Sequence, residues 1–389
     1  MIKAEECIGC QACVDLCVQK AISFQYNEWG EGRATVDQSR CTKCGLCDSL
    51  CPNQNIQFNK SQPTVYAAFS KKNRHTGSSG GIFYELADCF INEGGVVFGA
   101  AFTDDLKLVH KKCTTVSELE KICKSKYLHS DMSGIYSQMS ICLKSGQKVM
   151  FVGTPCQVSA VKNSFGKRYR EQLLFVDFLC HGTGTQKIFD LCIQNEEIKQ
   201  KGRITDFTFR AKTRKAEHSF KYTVRRGAKI GFVAGYSFEF PYYYSYLKYT
   251  IFDDSCYECK YPRNDRVGDI TLGDFWGIQN YNKNMHDQDG ISMLSINTKV
   301  GRGYFEKISS KCVIHEYPIE NASTKNQAFR ERVSVCNYNS KQELTTILKE
   351  QGESALIERL SCPNIKRQIA YAKTPMFIKK AWNHMRGIK

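Results

Sequence analysis

The sequence predicts a small α+β domain, then an α/β domain with a mixed sheet, then a small helical C-terminal extension. Three observations lead there. The first sixty residues hold a 34-residue repeat of cysteine-rich loops. From Pro63 onward, short apolar or β-branched runs alternate with helix-like segments. Past residue 310 the chain turns basic, with no acidic residue after Glu358. The boundaries read 1–62, 63–310 and 311–389, the first marked by the polar segment Asn59–Pro63 that ends in proline.

In the repeat, Cys7, Cys10, Cys13 and Cys17 return as Cys41, Cys44, Cys47 and Cys51, and Ile22 with Phe24 returns as Ile56 with Phe58. Each half has the spacing in which three close thiolates hold one cubane while the fourth reaches across to the other. Cys7, Cys10, Cys13 and Cys51 are therefore assigned to one 4Fe-4S cluster, and Cys41, Cys44, Cys47 and Cys17 to a second. Gly9 and Gly45 let the loops wrap closely, with their amides aimed at the sulfurs. The stretch resembles a bacterial two-cluster ferredoxin, apart from Val18, where that family has the proline kept here as Pro52. Structural zinc wants two separated cysteine pairs per ion, a poorer match to four cysteines in eleven residues.

A length of 389 residues with 42% apolar content supports two or three domains with real cores, which excludes a disordered chain. The formal charge of +16 leaves nucleic acid, anionic lipid, acidic proteins and phosphorylated ligands open. No apolar run approaches the roughly 18 residues of a membrane span, and Met1 to Cys7 has no signal-peptide core. The expectation is a cytoplasmic protein with no membrane span. In that compartment, 20 cysteines read as metal ligands and buried thiols rather than disulfides.

Strands are expected at Val65–Phe69, Val96–Phe102, Lys148–Val152, Leu173–Phe178 and Ile291–Ile296, and helices at Phe83–Asn92, Lys187–Glu197 and Tyr304–Ile308. Two strand exits carry cysteines, in Gly153-Thr154-Pro155-Cys156-Gln157 and Cys180-His181-Gly182; Cys256 and Cys259 follow later. Loops at the carboxyl ends of neighbouring parallel strands share a crevice. The four thiols either meet there as one site or are ordinary buried cysteines.

The segments just named, together with Cys256 to Lys260 and Arg266 through Asp269 and Asp274 to Gly277, are similar to the beta subunit of coenzyme F(420)-reducing hydrogenases and formate dehydrogenases. Ser78-Ser79-Gly80-Gly81, Gly94 to Gly99 and Lys126-Tyr127 through Ser130 extend the resemblance, which covers about residues 64–310. It implies an FAD- and 4Fe-4S-dependent oxidoreductase with a third 4Fe-4S cluster on Cys156, Cys180, Cys256 and Cys259. It also implies FAD contacts from Ser78, Ser79, Gly80, Gly81, Lys126, Tyr127, Thr154, Gln157, Arg266, Asp269 and Asp274. The catalytic residues stay unassigned. Gly182-Thr183-Gly184 and Gly301-Arg302-Gly303 each lack the third glycine of a dinucleotide fingerprint, so the phosphates need another cradle. Thr76 to Gly81, just before the helix-like run from Ile82, suits an anion, and Lys126 would neutralise pyrophosphate. His181 reads as a tuning residue. The eight other cysteines, Cys89, Cys113, Cys123, Cys142, Cys192, Cys312, Cys336 and Cys362, read as core or surface thiols.

Lys199 to Lys229 holds eleven Lys or Arg, interleaved with Phe207, Phe209, Phe220 and Tyr222. These alternate as a buried strand face does, which argues against a nucleic-acid partner. The aromatic run Phe238 to Phe252 reads as core, and the tail Pro375 to Lys389 as an amphipathic helix. The expected partners are a small redox protein such as ferredoxin, or a partner subunit of a redox complex, together with a small-molecule substrate; homo-oligomerisation stays open. The function read from all this is a ferredoxin-linked FAD reductase of a small metabolite. The alternatives are coenzyme F(420) oxidoreduction and a non-catalytic electron-transfer subunit.

Overall fold

The computed structural model describes residues 4–60, 62–213, 218–285, 289–326, 329 and 335–374. Its fold class is the expected one: a ferredoxin-like N-terminal region, a mixed-sheet α/β domain and a helical C-terminal end. The tail 375–389, with its expected amphipathic helix, lies outside the described residues.

In the first region each cysteine run leads into a short helix, Ala12–Leu16 or Leu46–Leu50. The repeat persists in the backbone. Left-handed φ occurs at Gly9 (70°) and Gln11 (62°), and again 34 residues on at Lys43 (55°) and Gly45 (74°). Such turns swing successive amides to one side, where they favour an anion. The Lys43 amide donates to Cys41 Sγ at 3.4 Å. Strands β1 (Ile22–Tyr26) and β2 (Gly32–Val36) form an antiparallel hairpin. The second repeat builds no such hairpin among the described residues; Ile56 and Phe58 instead pack on the α/β domain.

The α/β domain begins with β3 (Thr64–Ser70), β4 (Val96–Phe102), β5 (Leu108–Cys113), β6 (Val149–Gly153) and β7 (Leu173–Phe178). A separate three-stranded sheet follows, of β8 (Arg203–Phe209), β9 (Ser219–Arg226) and β10 (Lys229–Tyr236). The chain then returns with β11 (Ile270–Asp274), β12 (Ser292–Ile296) and β13 (Cys312–Tyr317). The large sheet runs in the order β13-β3-β12-β11-β7-β6-β4-β5. Its centre is parallel, β4 to β6 to β7 to β11, and its flanks pair antiparallel. Buried runs such as Leu173–Val176 are what a parallel strand covered on both faces requires. The expected boundary at residue 310 needs correcting, because β13 pairs with β3 from Cys312↔Ser70 to Tyr317↔Val65. Without β13, the outer edge of β3 would present unpaired backbone.

Phe207, Phe209, Phe220 and Tyr222 are buried against Phe240, Tyr242 and Tyr243, so the basic stretch does carry an inward aromatic face. Its residues 214–217 lie outside the described ones. Cys113, Cys123, Cys142, Cys192 and Cys312 are buried, Cys89 and Cys362 half-buried, and the Cys336 side chain is outside the described residues. Among the described residues, no helix is long and apolar enough to cross a membrane.

His110 on β5 ties the sheet to the loop after β6. Gln157 Nε2 donates to Ser130 Oγ at 2.9 Å, which leaves that hydroxyl to donate to His110 Nδ1 at 2.8 Å. His110 Nε2 then carries the proton and donates to the Val152 carbonyl at 3.1 Å. Burial lowers the imidazole pKa to about 4, against an ordinary 6.5. A group protonated in the unfolded chain and neutral in the native one makes stability fall as pH drops from 6.5 toward 4, with no further loss below. We predict that the stability advantage of wild type over His110→Phe shrinks by up to about 3 kcal/mol between pH 7 and pH 4, measured by denaturant melts of both proteins. A pH-independent difference would contradict the assignment.

Candidate functional site

The exits of β6 and β7 are neighbours, and each delivers a cysteine. After β6, Thr154 caps helix Pro155–Val161, with Pro155 in its first turn. The Thr154 amide donates to Gln157 Oε1 at 3.1 Å, and the reciprocal bond runs from the Gln157 amide to Thr154 Oγ1 at 3.4 Å. This capping box holds Cys156 at the helix start. After β7 the chain presents Cys180. Helix Asp254–Tyr257, capped by Asp253 through the Ser255 amide at 2.9 Å, brings Cys256 and then Cys259. All four thiols line one cavity of about 220 Å³, walled also by His181, Thr183, Tyr261 and Arg266.

Burial pushes Cys156 up to about 12, reinforced by neighbouring Cys259 and opposed by the Thr154 hydroxyl. Cys180 and Cys256 are raised further still, first by burial and then by the other thiols and, for Cys256, Asp253. Thiols this deep become thiolates only when a cation shares their cavity.

The repeat loops ring two more cavities. Cys17 lies with Cys41, Cys44 and Cys47 around one, and Cys51 with Cys7, Cys10 and Cys13 around the other; Cys13 and Cys47 border both. The fourth cysteine of each run thus sits with the opposite run. Among the described residues, no three Cys, His, Asp or Glu side chains converge as ligands of a single ion. The cysteines surround cage-sized spaces instead. Cys44 is exposed and Cys10 is buried, so the two sites differ in access. Ile8 and Asn53, from the inner loops, also line the four-cysteine cavity. Tyr136 donates to the Cys10 carbonyl at 3.0 Å and Tyr261 to the Pro52 carbonyl at 3.2 Å, binding these loops to the larger domain.

The residues expected at FAD are divided by the structure. Ser78 Oγ accepts from the Ser125 amide at 2.7 Å, and the Gly80 amide donates to Ser292 Oγ at 2.9 Å. Gly81 caps helix Ile82–Asn92 with φ of 79°, and a side chain there would strike the Asn73 carbonyl. Packing of this loop on its own backbone therefore already demands the glycine. Lys126 faces no anion. Its ammonium donates to the Cys123 and Lys124 carbonyls at 2.6 and 3.4 Å, and burial lowers its pKa to about 8. Tyr127 stacks on Tyr246 at 4.4 Å within an aromatic cluster.

Asp269 needs correcting: it precedes β11, roughly 16 Å by strand rise from Asp274 at the crevice end. There it accepts from the Phe175 amide at 2.9 Å and pairs with Arg170, a brace across the sheet. Thr154, Gln157 and Arg266 belong to the four-cysteine cavity and its supports. Asp274 pairs with Arg210, whose guanidinium lies over Trp276 at 5.4 Å. Lys212 donates to the Ser79 and Arg74 carbonyls at 2.9 and 3.0 Å. Arg210, Lys212, Thr213 and His218 were not singled out from the sequence, where they were part of a basic run. Only the folded sheet of β8 and β9 carries them over the Ser79 loop.

Arg266 braces the cavity. It donates to the Phe178, Tyr261 and Arg263 carbonyls, each at 3.3 Å, and lies 3.6 Å from buried Asp177. Arg266→Met would strand that carboxylate in the interior. We predict a loss of about 3–5 kcal/mol in denaturant unfolding; a loss below about 1 kcal/mol would show that the arginine is not a brace.

Comparison with known proteins agrees with this geometry. Residues 146–322 match the family described as the C terminus of the coenzyme F(420) hydrogenase/dehydrogenase beta subunit, and residues 6–55 match a 4Fe-4S dicluster domain. A subunit of the NADH-quinone oxidoreductase of Pelobacter propionicus is 29% identical over 76 residues, 18% of this chain and 40% of that protein. A subunit of the ion-translocating oxidoreductase complex of Methanosarcina acetivorans is 38% identical over 52 residues, 13% of this chain and 18% of that protein. The chain spans less than half the length of these curated relatives. A solved F(420)-reducing NiFe hydrogenase complex from Methanosarcina barkeri is similar over 75% of this chain and 91% of the matched one, with 16% identity and a TM-score of 0.44. Residues 146–322 therefore belong to the coenzyme F(420) hydrogenase/dehydrogenase beta subunit family, and they follow a 4Fe-4S dicluster domain in the same chain.

Proposed function

We propose that this chain is an iron-sulfur flavoprotein oxidoreductase, with a third 4Fe-4S cluster on Cys156, Cys180, Cys256 and Cys259, that links a ferredoxin-type carrier to reduction of a small metabolite. The observation that carries the reading is the shared wall: Ile8 and Asn53 border the inner repeat loops and the four-cysteine cavity at once. The exposed Cys17, Cys41, Cys44 and Cys47 set offers the outer entry, the Cys7, Cys10, Cys13 and Cys51 set the relay, and the four-cysteine cavity the inner terminus.

FAD fits the crevice between the Ser79 loop and the end of β8. Ser79 Oγ, Arg210 Nε and Thr213 Oγ1 are buried there without a partner, and the Lys212 ammonium lies among them. Buried polar atoms of this kind call for a polar ligand. Ser79, Arg210, Lys212 and Thr213 would hold it, with Lys212 in place of the expected Lys126. When bound, FAD supplies the exchange between single electrons and hydride that iron-sulfur clusters lack. Arg210, anchored by Asp274 and Trp276, keeps a fixed positive charge at the crevice.

Two other readings have observations behind them. The matched family takes its name from coenzyme F(420), which favours that deazaflavin as the second substrate. Both curated relatives are subunits of redox complexes, which favours a partner subunit.

Anaerobically purified protein is predicted to carry about twelve irons and twelve sulfides per chain, falling to about eight in Cys156→Ala/Cys259→Ala. Eight in both proteins would remove the third cluster. Reduced ferredoxin is predicted to bleach the bound flavin in an anaerobic stopped-flow assay. Bleaching by reduced coenzyme F(420) alone would make the deazaflavin the substrate, and a flavin-free preparation active only with a partner would make the chain a carrier subunit.

A further inference from the structure

Helix Val335–Gln351, beyond the boundary expected at 310, carries a lysine into the interior of the molecule. The Lys341 side chain is 2% exposed, and its ammonium meets two carboxylates, Glu31 and Asp254. Glu31 lies in the turn between β1 and β2, and Asp254 opens the short helix that bears Cys256. Arg33 on β2 forks onto Asp253 at 2.9 and 3.0 Å and reaches Glu31 at 3.3 Å. The Asp254 amide donates to Glu31 Oε1 at 2.9 Å, while Asp253 caps the Cys256 helix. Lys341 also lies over the rings of Trp29 and Tyr257, at 5.5 and 5.9 Å.

Three carboxylates and two cations from three distant parts of the chain thus interlock one residue or two before Cys256. Burial raises Glu31, and neighbouring Asp253 raises it further, so the carboxylate depends on Lys341 for its charge. Apolar contacts would hold the same elements while letting them slide. Forked and directional charge pairs do not slide, because a small shift leaves a buried charge unpaired.

We propose that Lys341 acts with Glu31, Arg33, Asp253 and Asp254 as a set of positioning residues that lock the Cys256 helix to the ferredoxin hairpin and so fix the separation between the inner ferredoxin cluster and the four-cysteine site. The proposal rests on a cluster occupying that site. Electron transfer and magnetic coupling both weaken steeply as two centres separate, so the lock decides whether the sites communicate.

The test uses the full chain, loaded anaerobically, reduced with dithionite and read by electron paramagnetic resonance. Wild type is expected to show spectra broadened by coupling between clusters. Lys341→Met and Glu31→Gln are expected to keep wild-type iron content and lose that broadening, while Lys341→Arg keeps it. Glu31→Gln still accepts from the Asp254 amide, so it reports even where Lys341→Met folds poorly. Unchanged broadening in either Lys341→Met or Glu31→Gln, with wild-type iron content, would overturn the proposal. Eight irons in wild type, with no third signal, would overturn the underlying reading of the four-cysteine site, and the lock with it.

Discussion

Deeply buried thiols govern this molecule. Cys156, Cys180 and Cys256 lie where burial opposes their ionisation, and a chain would gain nothing by placing them there for packing alone. Holding them against one cavity demands loops that cannot drift. The parallel centre of the sheet meets that demand by bringing the exits of β6 and β7 side by side, and Arg266 ties their loops to the segment after Cys259. Capping by Thr154 and Asp253 fixes the first turns of the two helices that carry cysteines.

The ferredoxin-like region is built into the larger domain rather than strung beside it. Its second half forgoes the hairpin of the first and lays Ile56 and Phe58 on the α/β domain, while Asn59 donates to the Gly268 carbonyl at 2.7 Å. Symmetry is kept where the sulfurs need amides, in the left-handed turns at 9, 11, 43 and 45, and abandoned where packing needs contact. His129, at 3.1 Å from the Ile8 carbonyl, adds another tie beside the inner loop. An inner and an outer site follow from this asymmetry, because only one of the two cavities faces the larger domain.

The second crevice depends on a different element. The sheet of β8, β9 and β10 is held by an aromatic cluster around Phe189, Phe207, Phe240 and Tyr243. That packing brings Arg210 and Lys212 over the Ser79 loop. Both residues have positive φ, 52° and 53°, a conformation costly for side-chain-bearing residues that survives where the surroundings impose it.

The repeat cysteines were legible from sequence because metal ligation by a short loop is local: spacing alone determines which thiols share a cage. The main strands were legible for a similar reason, since β-branched runs declare themselves, and Val96–Phe102 and Leu173–Phe178 were placed at their observed ends. Asp269 and Asp274 looked equivalent in one short motif, yet a strand separates its two ends, so only Asp274 reaches the crevice. Lys126 looked like an anion partner until neighbouring carbonyls turned out to hold its ammonium. The sequence by itself determined the local chemistry, that is, which residues can ligate iron and which segments form strands. Tertiary structure alone decided that Lys341 meets Glu31 across 310 residues and that β13 closes the sheet. Charge pairs and strand edges are satisfied by whatever the fold brings near, and no periodicity along the chain records that meeting.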